Sequence, residues 1–395
     1  MKLWEIKKSS LNKKIEEYTV GEDSTIDNVI VPYDCMVTLA HAKLLYKMGI
    51  LSKSELKKLV VELKGIMKLS KRGLFKIEKE EEDSHTAIEN YLTARLGSIG
   101  KKIHAFRSRN EQIIGAFRLF CKEELANIEK LINDLIDEIK NFKIKYGKIK
   151  LPGYTHTRKA MESNLGMWCD WIIESMEDNK KLIATVKELI DQCPLGTGAG
   201  FGLPVKVDRN FLAKKSGFKT VQKSPVYTQN SRGKFESTIL HVLTQIMFDL
   251  NKISSDIILF SLDNFGYFSL SNDICTGSSM MPHKRNPDAL EIMRGNYHKV
   301  LSYEFQIKSL ISNLISGYHR DFQLTKKPVV EAFKITKNSL EIMMLIIRSI
   351  GVNKTKCEQD LTSDLYSVNK VYKKVMEGKP FREAYRKVKK DYEKV

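Results

Sequence analysis

Three polar segments interrupt an otherwise helical pattern, and their residue types are those that bond-making chemistry uses. The longest is Thr276-Gly277-Ser278-Ser279-Met280-Met281-Pro282-His283-Lys284-Arg285-Asn286-Pro287. It sets hydroxyls, a glycine and two adjacent cations in a loop that then opens a helix, more polar donors than a plain Gly/Ser/Pro connector needs. A second, Gly153-Tyr154-Thr155-His156-Thr157-Arg158, offers a histidine whose pKa near neutrality suits a general acid or base. A lone histidine of this kind is also a common structural group. The third, His104-Ala105-Phe106-Arg107-Ser108-Arg109-Asn110-Glu111-Gln112, stands at the start of a long helix. Its basic and amide side chains beside a helix N-terminus can hold a carboxylate or phosphate, or simply cap the helix with solvated charges. Joins between elements are where binding and catalytic groups concentrate. The run Gly196-Thr197-Gly198-Ala199-Gly200-Phe201-Gly202 has the glycines of a dinucleotide loop but follows a helix end rather than a strand, which excludes a Rossmann reading.

The elements that must position these segments are helices. Phe117, Cys121, Leu125, Ile128, Ile132, Leu135, Ile139 and Phe142 recur at three- and four-residue steps, the stripe of a long amphipathic helix in a bundle. A second periodic run leads from about Leu165 to Ile190, and a third carries Ile239, Val242, Ile246, Leu250, Ile253, Ile257 and Phe260. Two more candidates cover roughly Asp288 to Ile315 and Val329 to Ile350. No stretch shows convincing strand alternation with hairpin turns. The expected fold class is all-α, a bundle of long central helices over residues 105–351, with smaller helical domains at 1–104 and 352–395. Helices approaching roughly 40 residues exceed the globular average, so burial between several copies of the chain is expected.

Composition excludes several function classes. The 395 residues are 42% hydrophobic and carry 66 Lys+Arg against 48 Asp+Glu, a formal net charge of +18, too apolar for a disordered chain. Such a charge raises the question of nucleic acid. The lysines are nevertheless spread along the chain, with no aromatic-studded basic cluster and no zinc-finger spacing, so nucleic acid is not the expected partner. Cys35, Cys121, Cys169, Cys193, Cys275 and Cys357 are scattered without a CxxC pair or a nearby histidine, which points to reduced thiols and away from a metal site. The N-terminus lacks a signal-like apolar run, and no segment approaches the roughly 18 apolar residues of a membrane span. A soluble, cytoplasmic protein is expected.

Together the segments resemble the fumarase/aspartase superfamily, and within it most closely the argininosuccinate lyases. The superfamily signature GSSxMPxKxN matches at every fixed position of Gly277 to Asn286. The argininosuccinate lyases also share Asn286-Pro287-Asp288, Leu290-Glu291, Arg107-Ser108-Arg109-Asn110, Gly153-Tyr154-Thr155-His156 and Pro194-Leu195-Gly196. Lys2-Leu3-Trp4, Ala40-His41-Ala42 and Phe381-Arg382-Glu383-Ala384 fit the same family's ends, so the similarity runs almost throughout.

The resemblance implies a homotetramer whose active sites each draw on three subunits. It also implies a reversible elimination of arginine from argininosuccinate, leaving fumarate, without metal or organic cofactor. By the same resemblance Ser278 is the base, His156 protonates the leaving group with Glu291 as its carboxylate partner, and Lys284 and Asn286 stabilise the carbanion. Such a serine needs local cations to depress its pKa, Lys284 among them. Ser108, Arg109, Asn110 and Thr155 match positions that grip the fumarate-half carboxylates. Tyr318, Gln323, Lys326 and His85 match positions that contact the arginine half.

The chain departs from the family at Phe106, where a small residue is usual, and at Glu111, where Asp is usual. Thr157-Arg158 stands for Leu-Gln, and Glu162 for a frequent proline. A bulky Phe106 and a charged Arg158 near the site would reshape the pocket on the amine side. Two other readings stay open: a related lyase releasing fumarate from another N-substituted aspartate, and a non-catalytic structural homologue.

Overall fold

The computed structural model describes residues 12–392; Lys2-Leu3-Trp4 lies outside them. Helices dominate, and the five long ones are Arg109–Tyr146, Leu165–Ile190, Lys234–Phe260, Asp288–Ile311 and Lys326–Ser349. Every residue of the stripe from Phe117 to Phe142 is buried, as helical spacing of apolar side chains requires. The described residues form two compact units. One takes in the segments up to Ile128, Leu182–Leu243 and Val300–Lys334; the other takes in Glu129–Lys181, Thr244–Lys299 and the chain from Ile335 onward. Each long helix contributes one part to each unit.

In the first unit, helices Val31–Lys47, Lys53–Lys71 and Ser84–Leu96 close over Cys35, Ala42, Leu45, Leu59, Leu63, Ile88 and Leu92. Their starts are written locally. Ser52 Oγ accepts the Glu55 amide at 3.2 Å while the Glu55 carboxylate accepts the Ser52 amide at 2.7 Å, a reciprocal cap. Asp83 caps Ser84–Leu96 by accepting the Thr86 amide at 2.9 Å. In the second unit the rings of Phe142, Trp168, Phe260, Tyr267 and Phe268 pack with centroids 5.4–6.2 Å apart, mostly edge to face.

The all-α expectation overlooks one feature. Lys150–Thr155 and Arg158–Asn164 pair as an antiparallel hairpin, closed by the two-residue turn His156-Thr157 with φ of +51° and +60°. Positive φ at both positions is the mirror-image turn whose twist suits a hairpin, normally built from Asn-Gly. Pro152 and Gly153 hide the alternation, and His-Thr hides the turn. Three further strand pairs span only two or three residues each.

Candidate active site

A cavity of about 190 Å³ in the first unit is lined by His85, Arg109, Asn110, Tyr318, Gln323 and Lys326. These candidates come from helix Ser84–Leu96, the start of Arg109–Tyr146, and the turn leading into Lys326–Ser349, and the fold brings them together. Lys326 is buried and donates to Asp27 at 2.5 Å and Asp23 at 2.9 Å. Burial opposes its charge, but the two carboxylates outweigh that and raise its pKa. Asp23 itself is pushed up to about 6, chiefly by burial. The Arg109 guanidinium donates to the Asp83 carboxylate and, at 3.0 Å, to Thr86 Oγ1, so the cap of helix Ser84–Leu96 also holds the cation that opens helix Arg109–Tyr146. His85 gives its Nδ1 to Asp34. Against the cost of burial, that carboxylate raises the imidazole pKa, so the ring favours its cationic form.

Asp34 is a hub. It also accepts Ser84 Oγ at 2.8 Å and Gln112 Nε2 at 2.5 Å. Burial would raise its pKa, yet His85, Gln112 and Arg107 bring it down to about 2. Ser108 stands just before the helix and accepts the Asn110 amide at 3.2 Å; it is not among the residues lining the cavity.

The remaining candidates belong to the second unit. Thr276-Gly277 pairs with Arg285-Asn286, which ties off the loop holding Ser278 and Lys284. Within it Ser278 Oγ accepts the Met280 and Met281 amides at 3.3 and 3.0 Å. The loop ends as Thr276 Oγ1 donates to Asp288, in the first turn of helix Asp288–Ile311. Lys284 is exposed, and among the described residues no hydrogen bond links it to Ser278; the groups at the serine oxygen are backbone amides. His156 is exposed in the hairpin turn, Thr155 precedes it on the strand, and Glu291 is exposed on helix Asp288–Ile311. No ion pair joins His156 to Glu291 among the described residues.

Several lining groups escape a motif-based reading: Asp23, Asp27, Glu82, Asp83, Arg232 and Arg320. Asp23 and Asp27 share a helical i,i+4 spacing, the one signal that could have paired them. Asp83 ends the acidic run from Glu80, which reads as a solvated charge cluster.

The departures find structural places. Phe106 packs against the N-terminal core and is not among the residues lining the cavity. It holds φ +56°, beside Ala105, whose carbonyl accepts His41 Nε2 at 2.8 Å. Burial lowers the His41 pKa to about 3, so this histidine is a neutral structural donor. Arg158 is exposed at the hairpin end. Glu111 is buried and accepts the Thr197 and Gly198 amides, both at 2.6 Å. It thereby fastens the glycine-rich run, where a Cβ at Gly198 would lie 2.7 Å from the Gly202 carbonyl oxygen.

No group of His, Cys, Asp and Glu fit to hold a metal ion occurs among the described residues. Nor is any described helix long and apolar enough to cross a membrane.

Comparison with known proteins gives the family. The family model described as lyase matches residues 3–302. The argininosuccinate lyase of Thermotoga neapolitana is 48% identical over 391 residues, covering 99% of this chain and 98% of the relative. Among solved structures, EDDS lyase in complex with formate superposes with a TM-score of 0.80 at 19% identity, covering 96% of this chain and 76% of that one. A class II fumarase from Schistosoma mansoni gives 0.78 at 15% identity, covering 95% and 91%. At those identities the likeness speaks for the fold, the all-α fold expected from the helical stripes. The near-complete match to a curated relative speaks for more: the chain belongs to the lyase family and, within it, to the argininosuccinate lyases.

Proposed function

We propose that this protein eliminates arginine from argininosuccinate, reversibly, leaving fumarate. The observation that carries the reading is the cavity, where Lys326, Arg109 and His85 stand with Asp23, Asp27 and Asp83. A ligand bearing several carboxylates together with an ammonium and a guanidinium finds a partner there for each charge.

In this reading Ser278 removes the proton from the carbon beside a carboxylate of the succinyl half. The two amides at its oxygen favour the alkoxide, because a hydrogen bond to the charged form strengthens as charge develops. Lys284 and Asn286 meet the resulting aci-carboxylate dianion. The carbon–nitrogen bond then breaks, its electron pair leaves with the guanidine nitrogen, and His156, partnered by Glu291, supplies the proton. Ser108, Arg109, Asn110 and Thr155 hold the carboxylates of the fumarate half; His85, Tyr318, Gln323 and Lys326 hold the arginine half. No metal or organic cofactor is needed. A homotetramer, each site drawing on three subunits, completes the proposal.

Incubation of purified protein with argininosuccinate, followed by fumarate absorbance, tests it. Release well above a Ser278→Ala control is expected, and release no greater than that control overturns the reading. Mixing Ser278→Ala with His156→Asn protein should restore part of the activity; strict inactivity of the mixture would remove the shared site.

A further inference from the structure

Both strands that present His156 are tied to one carboxylate. Tyr267 is completely buried, and its hydroxyl donates to Asp360 Oδ2 at 2.8 Å. The Tyr154 and Tyr267 hydroxyl oxygens stand 2.9 Å apart. A phenol has one proton to give, and that of Tyr267 goes to the carboxylate, so Tyr154 is the donor in the second bond. The chain Tyr154 to Tyr267 to Asp360 therefore runs one way and ends on an acceptor that cannot reverse it while charged. Phe265 packs against both tyrosine rings, with centroids 5.6 and 5.5 Å away. On the other strand, Lys159 Nζ donates to Asp360 Oδ1 at 3.3 Å and to its backbone carbonyl at 2.9 Å.

Tyr154 and Lys159 are direct cross-strand partners, and only the pair Thr155 and Arg158 separates them from the His156-Thr157 turn. That turn needs holding. Neither residue is glycine, both have positive φ, and a β-branched threonine there is a costly conformation that persists only when its surroundings impose it.

We propose that Asp360 is a positioning residue for His156, acting through Tyr267 and Tyr154 on one strand of the hairpin and through Lys159 on the other. The inference rests on the reading above, in which His156 protonates the leaving group. A second anchor lies lower on the hairpin, where Glu162 accepts Lys150 Nζ at 2.9 Å and the Tyr366 hydroxyl, so loss of Asp360 loosens the tip while its base stays fixed. A proton donor must sit within hydrogen-bond reach of the departing nitrogen, and misplacement by about 1 Å costs on the order of 100-fold in rate.

The test is a double-mutant cycle with turnover and hairpin exchange as readouts. Asp360→Ala and Tyr267→Phe are each made in the wild type and in His156→Asn. Tyr267→Phe keeps the packed ring, so a folded variant is available even where Asp360→Ala does not fold. In the wild type each variant should lower kcat by roughly 10- to 100-fold and change KM by less than about twofold. In His156→Asn, where the positioned group is gone, neither should lower the residual rate further. Asp360→Asn, which keeps an acceptor for Tyr267, should recover much of the loss. Hydrogen exchange of peptides covering 150–164 should quicken in Asp360→Ala and Tyr267→Phe alone. Equal fold-losses in both backgrounds, or unchanged hairpin exchange, would overturn the proposal. An absence of fumarate release by the wild type with hairpin exchange still governed by Asp360 would instead count against the reaction.

Discussion

Replacing Lys326 by methionine removes the one ammonium between two acids and keeps the side-chain volume. The Lys326 side chain is 5% exposed, that of Asp27 0% and that of Asp23 16%. With an effective dielectric of about 20, charges at these separations attract by about 6 kcal/mol each. Most of that is offset by withdrawing an ammonium and two carboxylates from water, at several kcal/mol per ion. The single variant forfeits the attraction and keeps the acids buried, which puts the expected loss at about 3–5 kcal/mol. It should depend on pH in a definite direction. The Asp23 carboxyl already sits at about 6, above its ordinary value of 3.8, and losing Lys326 pushes it higher. A group whose folded pKa lies above its unfolded one costs stability as pH rises through that window. The variant should therefore be further below the wild type at about pH 8 than at about pH 5. Denaturant unfolding at both pH values measures this, and Lys326→Met/Asp27→Asn should recover a large part of the loss. A single variant within about 1 kcal/mol of the wild type, or a double variant no better than the single, would refute the reasoning.

Further expectations concern strain, chemistry and a buried acid. At Phe106, with φ +56°, Phe106→Gly gives up packing but relieves backbone strain, whereas Phe106→Ala gives up packing and keeps it. Gly should thus be more stable than Ala by about 1 kcal/mol, compared by unfolding midpoints. Asparagine tolerates positive φ, so His156→Asn should keep the hairpin and lower kcat far more than it raises KM, read from steady-state fumarate release. Glu111 is pushed up to about 7, first by burial, against an unfolded value of 4.5. It therefore costs stability as pH rises from about 4.5 through 7, by about 3 kcal/mol at most. Glu111→Gln should flatten that slope in unfolding measured across the same range.

How much of this was legible in the sequence depends on the range over which each feature is written. The long helices are written locally. Their stripes recur every turn, so Leu125, Ile132 and Ile246 could be assigned to the core without knowing what they pack against. The loop around Ser278 is local too, and its polar types stand out from any helical pattern. The hairpin was not legible, because Pro152 and Gly153 break the alternation and the turn uses neither Asn nor Gly. The acids that partner the cavity's cations were not legible for another reason. Asp27 meets Lys326 across 299 positions and Asp34 meets His85 across 51, and nothing near either acid says which distant cation it meets. Asp360, 93 positions from Tyr267, is hidden in the same way.

The two groups of proposed site residues also differ in what they hold before a substrate arrives, and that difference has an energetic consequence. Arg109, His85 and Lys326 each have a carboxylate partner already: Asp83, Asp34 and Asp27. In the proposed function an entering carboxylate would share these cations instead of claiming free ones, so the net gain in affinity is modest while orientation is strict, because the partners fix where each cation points. Ser278, Lys284 and His156 lie on a loop and a hairpin turn, with Lys284 and His156 exposed. In water an ammonium such as Lys284 stabilises a developing dianion weakly, and its effect grows several-fold once water is excluded. The proposed chemistry therefore requires that the loop be covered when substrate is bound. In the proposed tetramer the covering surface comes from neighbouring subunits, which makes assembly a condition of turnover. A dissociated but folded protomer should accordingly bind the arginine half measurably and release no fumarate. Fumarate release by a verified monomer at the tetramer's rate would break this argument.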